Sequence, residues 1–273
     1  VFDSGFLLGD GVWEGIRLHQ SQLVFIEDHL DRLYASAKGI SLDISYTKKQ
    51  IINEINKVLK KNNMDNDIHI RLVVTRGDKI TPYQNPNANI GPINLIIIPE
   101  HKKTDPNTYT KGIRIGRVPN IRPNKSILSP HYNTLSKLNC ILASIEANER
   151  GYDEGIMNDI HGNISTCNST NLFFIKGDKV LTSTGEYCLN GITREKTIKI
   201  CYEHNIKCAQ TNFVFSDIQN CDEAFVTGTF AGIIPVSKIE NRLLKSNEEN
   251  SLTLQIKKLY DEHIISYIKN KEI

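Results

Sequence analysis

Three short stretches of the chain carry residue types that hold an anion. Gly191-Ile192-Thr193-Arg194 stands where a polar loop gives way to a helical pattern, and the unpaired N–H groups of a helix start favour negative charge. Thr227-Gly228-Thr229 follows a strand-like run and brings two hydroxyls and a glycine, the makings of an anion nest. Arg32 lies on the flank of a helical stretch, beside its apolar stripe, and its fork matches a phosphate bidentately. Each also has a plainer reading: a threonine cap, an ordinary hairpin turn, a solvated arginine. No GxxxxGK[ST] loop is present and no GxGxxG follows a strand. A nucleotide therefore fits less well than a small phosphorylated cofactor.

These groups need elements to hold them. Val12 to Leu18 alternates like a strand, and a polar turn at 19–22 returns it as Leu23-Val24-Phe25, which predicts a hairpin. Ile26, Leu30, Leu33, Tyr34 and Ala37 recur at helical spacing. Glu27 and Asp28 complement the dipole at that helix's start, and Gly39 stops it. Thr47 caps a second predicted helix reaching Lys61, with Ile51, Ile52, Ile55, Val58 and Leu59 on one face. Ile68 to Thr75 predicts a strand ending at Arg76-Gly77, and Ile93 to Ile98 a buried one. Gly5 to Gly11 reads as a glycine-punctuated loop, and the polar stretch 99–111, with two prolines, as a linker.

Beyond the linker, Gly112 to Val118 predicts a strand. A helix runs through Leu135, Leu138, Leu142 and Ile145. Strands fit 154–158, 163–166, 171–175, 180–182 and 223–227, a helix follows Thr193, and Leu252 to Ile268 is an amphipathic helix. Helices and strands mix without strict βαβ alternation. The expected fold class is α+β in two domains, residues 1–105 and 110–273.

Composition sets the outer bounds. The 273 residues are 39% hydrophobic, with a net charge of +2, too small to imply a nucleic-acid or membrane partner. All six cysteines fall in the second half, with no CxxC pair and no His/Cys ligand spacing, so idle thiols are expected rather than disulfides or a metal site. No apolar run reaches transmembrane length and no signal peptide is visible, which makes the cytoplasm the default location.

The stretches Phe6-Leu-Leu-Gly-Asp-Gly-Val-Trp-Glu14-Gly15-Ile16-Arg17, His29-Leu-Asp-Arg32-Leu33, Val74-Thr75-Arg76-Gly77, Leu189-Asn-Gly-Ile-Thr-Arg194 and Phe225-Val-Thr-Gly-Thr229 are each weak signals, but together they are specific. The chain resembles the class IV aminotransferases, the fold-type IV pyridoxal-phosphate enzymes. This group includes branched-chain aminotransferases, D-amino acid aminotransferases and aminodeoxychorismate lyases. The resemblance implies a small α/β N-terminal domain and a larger, barrel-like C-terminal domain that binds pyridoxal 5′-phosphate. It places Arg32, the backbone of Ile192 and Thr193, and Gly228-Thr229 at the cofactor phosphate. It places Trp13 in the substrate pocket and Arg76 on a substrate carboxylate, with a strand-end ion pair as the other reading of Arg76. The implied partners are an amino acid and a 2-oxo acid, with branched-chain amino acids as the first expectation from Trp13-Glu14-Gly15-Ile16-Arg17, and a second copy of the chain in a homodimer. Members carry about two strands before the glycine loop. A chain beginning at Val1 is thus expected to lack an N-terminal segment.

Two positions depart from the family's pattern. Its lysine stands four or five residues before Lys137, where this chain has Tyr132 or Asn133. One helical turn is about 5.4 Å, roughly the reach of a lysine side chain. Lys137 is therefore the candidate Schiff-base amine, ahead of Lys125. The other reading is a surface lysine on a relative without the reaction. The second departure is Thr166, where the family has a glutamate facing the pyridine nitrogen. A hydroxyl supplies no charge there, so the ring is a poorer electron sink. A lyase of the aminodeoxychorismate type and a non-catalytic relative remain the alternatives to an aminotransferase.

Overall fold

A computed structural model describes residues 1–271, which separate into two compact units. Of the described residues, the first comprises 1–103, the short segment Tyr132–Lys137 and 267–271. Its elements are α1 (Ser4–Leu8), β1 (Gly11–His19), β2 (Gln22–Leu23), α2 (Ile26–Gly39), α3 (Lys48–Lys61), β3 (Ile68–Thr75), the two-residue strands β4 (Asp78–Lys79) and β5 (Asn89–Ile90), and β6 (Asn94–His101). The main sheet is antiparallel in the order β2-β1-β3-β6.

Side-chain alternation decides the two faces of this sheet. Val12, Ile16 and Leu18 of β1 and Ile70, Leu72 and Val74 of β3 turn to one side. There they bury against Leu30 and Leu33 of α2 and Ile51 and Ile55 of α3. Trp13, Gly15 and Arg17 turn to the other side, opposite Val73, Arg71 and His69. The α3 cap is as expected: Thr47 and Gln50 form a reciprocal capping box.

Three details differ from the sequence reading. The stretch 5–11 is not all loop, because Asp3 caps the short helix α1 and Gly9 closes it in the left-handed region (φ 68°). The strand expected to be buried at 93–98 is the edge strand β6, with Ile96 and Ile98 exposed. The segment 132–137 belongs with the first unit because it pairs along the edge of β1. Thr134 bridges Val12, Trp13 N donates to Asn133 O (3.0 Å), and Leu135 N donates to Gly11 O (2.9 Å).

The second unit comprises residues 104–131 and 138–266. It contains α4 (Pro106–Lys111), β7 (Ile113–Ile121), α5 (Leu138–Glu149), β8 (Glu154–Asn158), β9 (Ile164–Cys167), β10 (Asn171–Lys176), β11 (Lys179–Thr182), α6 (Ile192–Glu203), β12 (Lys207–Gln210), α7 (Phe215–Ile218), β13 (Glu223–Gly228), β14 (Gly232–Ile239), β15 (Arg242–Leu243) and most of α8 (Leu252–Lys269). The strands form one sheet, β12-β11-β10-β13-β14-β7-β8-β9, with β15 added to β14. Leu172, Phe174, Val226, Val236 and Ile115 fill its core, and Phe173 stacks on Phe225 at 4.8 Å. Helix α5 differs from expectation. Only Ala143 and Ala147 are buried, while Leu138, Ile141, Leu142 and Ile145 lie outward, and Leu135 precedes the helix.

Candidate active site

In the first unit, Glu14 points into the apolar face of β1 between Val12 and Ile16 and is 0% exposed. A carboxylate buried there needs partners, and α2 supplies them one turn apart. Arg32 Nε donates to Oε1 (2.8 Å), Arg32 Nη2 to Oε2 (2.7 Å), and His29 Nδ1 lies 2.7 Å from Oε2. Burial pushes the Glu14 carboxyl up. The Arg32 charge and the hydrogen bonds from Arg32 and His29 outweigh that and hold it below its usual range.

The opposite face of β1 is basic and aromatic. Arg71 lies across the Trp13 ring, 4.1 Å from its centroid, and Lys137 Nζ lies 5.7 Å from the same centroid. Gly15 faces Arg71 across the strand pair, and a Cβ there would meet His69 Nε2 at 3.0 Å and the Trp13 ring at 3.6 Å. Trp13 Nε1 donates to Thr134 O (3.2 Å), and Asn133 Nδ2 donates to Trp13 O (2.7 Å). The segment carrying Lys137 is thereby fastened to the strand carrying Trp13. Asn133 N donates to Ser36 Oγ (3.0 Å), while Asn133 Oδ1 is buried without a partner. Burial, helped by the Lys102 and Arg71 charges, lowers the His69 pKa.

In the second unit, α6 starts at Ile192 with Gly191 as its N-cap, and no side chain caps it. Asn171 Nδ2 donates to Leu189 O (2.9 Å) and holds the approach to the helix. A Cβ on Gly191 would lie 2.3 Å from Asn171 Oδ1, so this backbone is packed as closely as glycine allows. Thr193 is buried, with Tyr260 Oη 3.4 Å from its hydroxyl. Helix α6 packs along β13, which ends at Gly228, with Thr229 following in the turn to β14. Thr227 Oγ1 is buried without a partner. Thr166 is buried on β9 and donates its hydroxyl proton to Thr170 O (2.7 Å). Glu154 accepts from Ser169 Oγ and Thr170 Oγ1, and burial raises its pKa. Burial also pushes the Cys167 thiol well up, which suits a packing role rather than a nucleophile.

The structure groups Trp13 and Lys137 within the first unit, and Ile192, Thr193, Gly228, Thr229 and Thr166 within the second. Arg32 and Arg76 also lie in the first unit, Arg76 just past the end of β3. Its Nε and Nη2 fork onto Asp10 (2.7 and 3.0 Å), and its remaining bonds go to the Ile40 and Ser41 carbonyls (both 2.8 Å). Those four bonds make it a clamp at the strand end. Arg71, which the sequence reading passed over, is the arginine beside Trp13. Its signal was strand parity: Arg71 and Arg76 lie five residues apart and so point to opposite faces of an extended chain. Glu14 and His29 were also missed as partners of Arg32, although His29 and Arg32 are spaced i, i+3.

One unit with helices on a small antiparallel sheet and another with a large mixed sheet and a helix start free of any side-chain cap are the parts of the fold-type IV pyridoxal-phosphate enzymes. Residues 11–239 match the amino-transferase class IV family. A branched-chain aminotransferase from Thermoproteus uzoniensis, solved with norvaline, has a TM-score of 0.87 at 27% identity, over 97% of this chain and 89% of that one. Branched-chain-amino-acid aminotransferase-like protein 2 of Arabidopsis thaliana is 36% identical over 95% of this chain, and the chain spans 46% of that relative's length. D-alanine aminotransferase of Listeria monocytogenes is 27% identical over 97% of this chain and 90% of its own length. The chain belongs to the class IV aminotransferase family, whose members use pyridoxal phosphate. The second unit's residues fit the cofactor's phosphate: an uncapped helix start, a glycine packed without room for a side chain, and an unsatisfied buried hydroxyl on β13.

Proposed function

We propose that the chain moves an amino group from an amino acid of the branched-chain type to a dicarboxylic 2-oxo acid, with Lys137 as its reactive amine. The observation that carries this reading is the face built from Trp13, Arg71 and Lys137. An indole surface suits an apolar side chain, and a guanidinium suits a carboxylate. Pyridoxal phosphate, when bound, supplies an electron sink for the negative charge that develops at the substrate Cα. Lys137 Nζ takes the proton from Cα and returns it. The start of α6 at Ile192 and Thr193, with Gly228 and Thr229, is assigned to the phosphate, and Arg32 in the first unit to anion binding. Thr166 is assigned to the ring nitrogen, where it would offer a hydroxyl in place of a charge.

A homodimer in the cytoplasm completes the reading. Among the described residues, no helix is long and apolar enough to cross a membrane. Helix α5 presents Leu138, Ile141, Leu142 and Ile145 at i, i+3, i+4 and i+7, each 46–66% exposed, a stripe suited to a second copy. The test is an amino-donor and 2-oxo-acid panel run on wild type and Lys137→Ala. Acceptor-dependent turnover that vanishes in the variant supports the assignment. Pyruvate release without an acceptor selects a lyase, and a protein with no spectral response to the cofactor selects a non-catalytic relative.

A further inference from the structure

We infer that Glu14 is a positioning residue. It fixes the plane of the Arg32 guanidinium so that this arginine meets a phosphate in one orientation. The inference rests on the anion-binding assignment of Arg32 made above. Glu14 lies in the apolar row of β1, in line with Val12, Ile16 and Leu18, where an aliphatic residue would complete the core. A carboxylate placed there loses its hydration and regains it only through fixed donors. Those donors are the Nε–Nη2 edge of Arg32 and His29 Nδ1. A two-point contact through Nε and Nη2 removes rotation about the terminal bonds of the arginine, which a single contact would leave free. His29, 1% exposed, braces the same oxygen that Arg32 Nη2 meets and keeps the carboxylate from turning. Glu14 itself is wholly buried, so it acts on an anion only through Arg32.

Charge and orientation predict opposite signs, which makes the inference testable. Glu14 carries a negative charge directly beside Arg32. Electrostatics alone says that removing that charge strengthens the attraction of the site for an anion. Orientation says that removing it weakens binding, because Gln offers one acceptor and one donor where two acceptors are needed. The experiment measures pyridoxal phosphate binding by equilibrium dialysis for wild type, Glu14→Gln, Arg32→Lys, Arg32→Ala and the Glu14→Gln/Arg32→Lys double variant, with thermal unfolding recorded for each. Phosphorus NMR of the bound phosphate serves as a second readout.

Glu14→Gln is expected to bind at least tenfold more weakly, with a shifted phosphorus resonance. Arg32→Lys keeps the charge but lacks the fork, so it is expected to lose as much, and the double variant little more than either. Equal or tighter binding by a folded Glu14→Gln overturns the positioning role while leaving the anion site intact. Should Glu14→Gln fail to fold, Arg32→Lys decides: tight binding with an unmoved resonance overturns the role, because orientation would then be irrelevant. Wild type that binds pyridoxal phosphate no better than Arg32→Ala overturns the anion-binding assignment, and this inference with it.

Discussion

Arg71 lies within β3 and Arg76 just past its end, and their replacement by alanine should have opposite consequences. Arg76 makes four hydrogen bonds, two to the Asp10 carboxylate and two to carbonyls, and both ion-pair partners are mostly shielded. Removing it strands a carboxylate and two carbonyl groups. Hydrogen bonds to charged groups contribute about 1.5–3 kcal/mol each, partly recovered here by water. A net loss of about 2 kcal/mol lowers Tm by roughly 8–16 °C for a unit of about a hundred residues. The Michaelis constant for 2-oxoglutarate should barely move. Arg71 is exposed, and among the described residues it has no hydrogen bond or ion pair within 4 Å. Its replacement should leave Tm nearly unchanged. A lost charge-assisted contact to a carboxylate should raise KM for 2-oxoglutarate by roughly 10- to 150-fold. A branched monocarboxylic 2-oxo acid should show little change. Differential scanning fluorimetry and steady-state kinetics with both acids, on both variants, decide the matter. A rise in KM for 2-oxoglutarate in Arg76→Ala at unchanged Tm, with Arg71→Ala kinetically normal, would refute the assignment of the carboxylate site to the Trp13 face.

Lys137→Ala should abolish the visible absorbance that appears when cofactor is added, and a spectrum equal to wild type would point to another amine such as Lys125. Glu154 has its pKa raised by burial. A carboxyl of this kind loses stability as pH rises from its ordinary value of 4.5 through the higher folded value. Urea unfolding should therefore show wild type falling behind Glu154→Gln as pH rises across that window, and a gap that stays constant with pH would contradict the cause given. Glu14 has the opposite shift, so the stability it contributes is present above its ordinary pKa of 4.5 and is lost as pH falls through the lower folded value. Glu14→Gln should flatten the acid limb of the unfolding curve. Ile141→Asp combined with Ile145→Asp should turn the proposed dimer into a folded monomer by light scattering, and an unchanged mass would place the second copy elsewhere.

Local pattern made much of the molecule legible. The alternation of β1, the i, i+3, i+4 rows of α2 and α3, and the Thr47 cap are short-range properties, set by side-chain direction and backbone hydrogen bonding within a few residues. The helix start at Ile192, after Gly191, was readable for the same reason, because a helix start lies in the sequence that forms it. Other features required the chain to be folded. Periodicity shows that α5 has an apolar stripe, but not that two alanines bury against its own unit while the larger residues face outward. The grouping of 132–137 with a strand more than a hundred residues earlier rests on backbone pairing that leaves no mark in composition. The difference between Arg71 and Arg76 is one of register. Only the pairing of Gly15 with Arg71 shows which guanidinium lies over the indole, and only the contacts of α2 show that a glutamate in an apolar row belongs to an arginine eighteen residues on. Residue types determine which contacts are possible. The tertiary structure decides which are made, because charges and buried donors are paired by proximity in space, and sequence spacing carries no record of it.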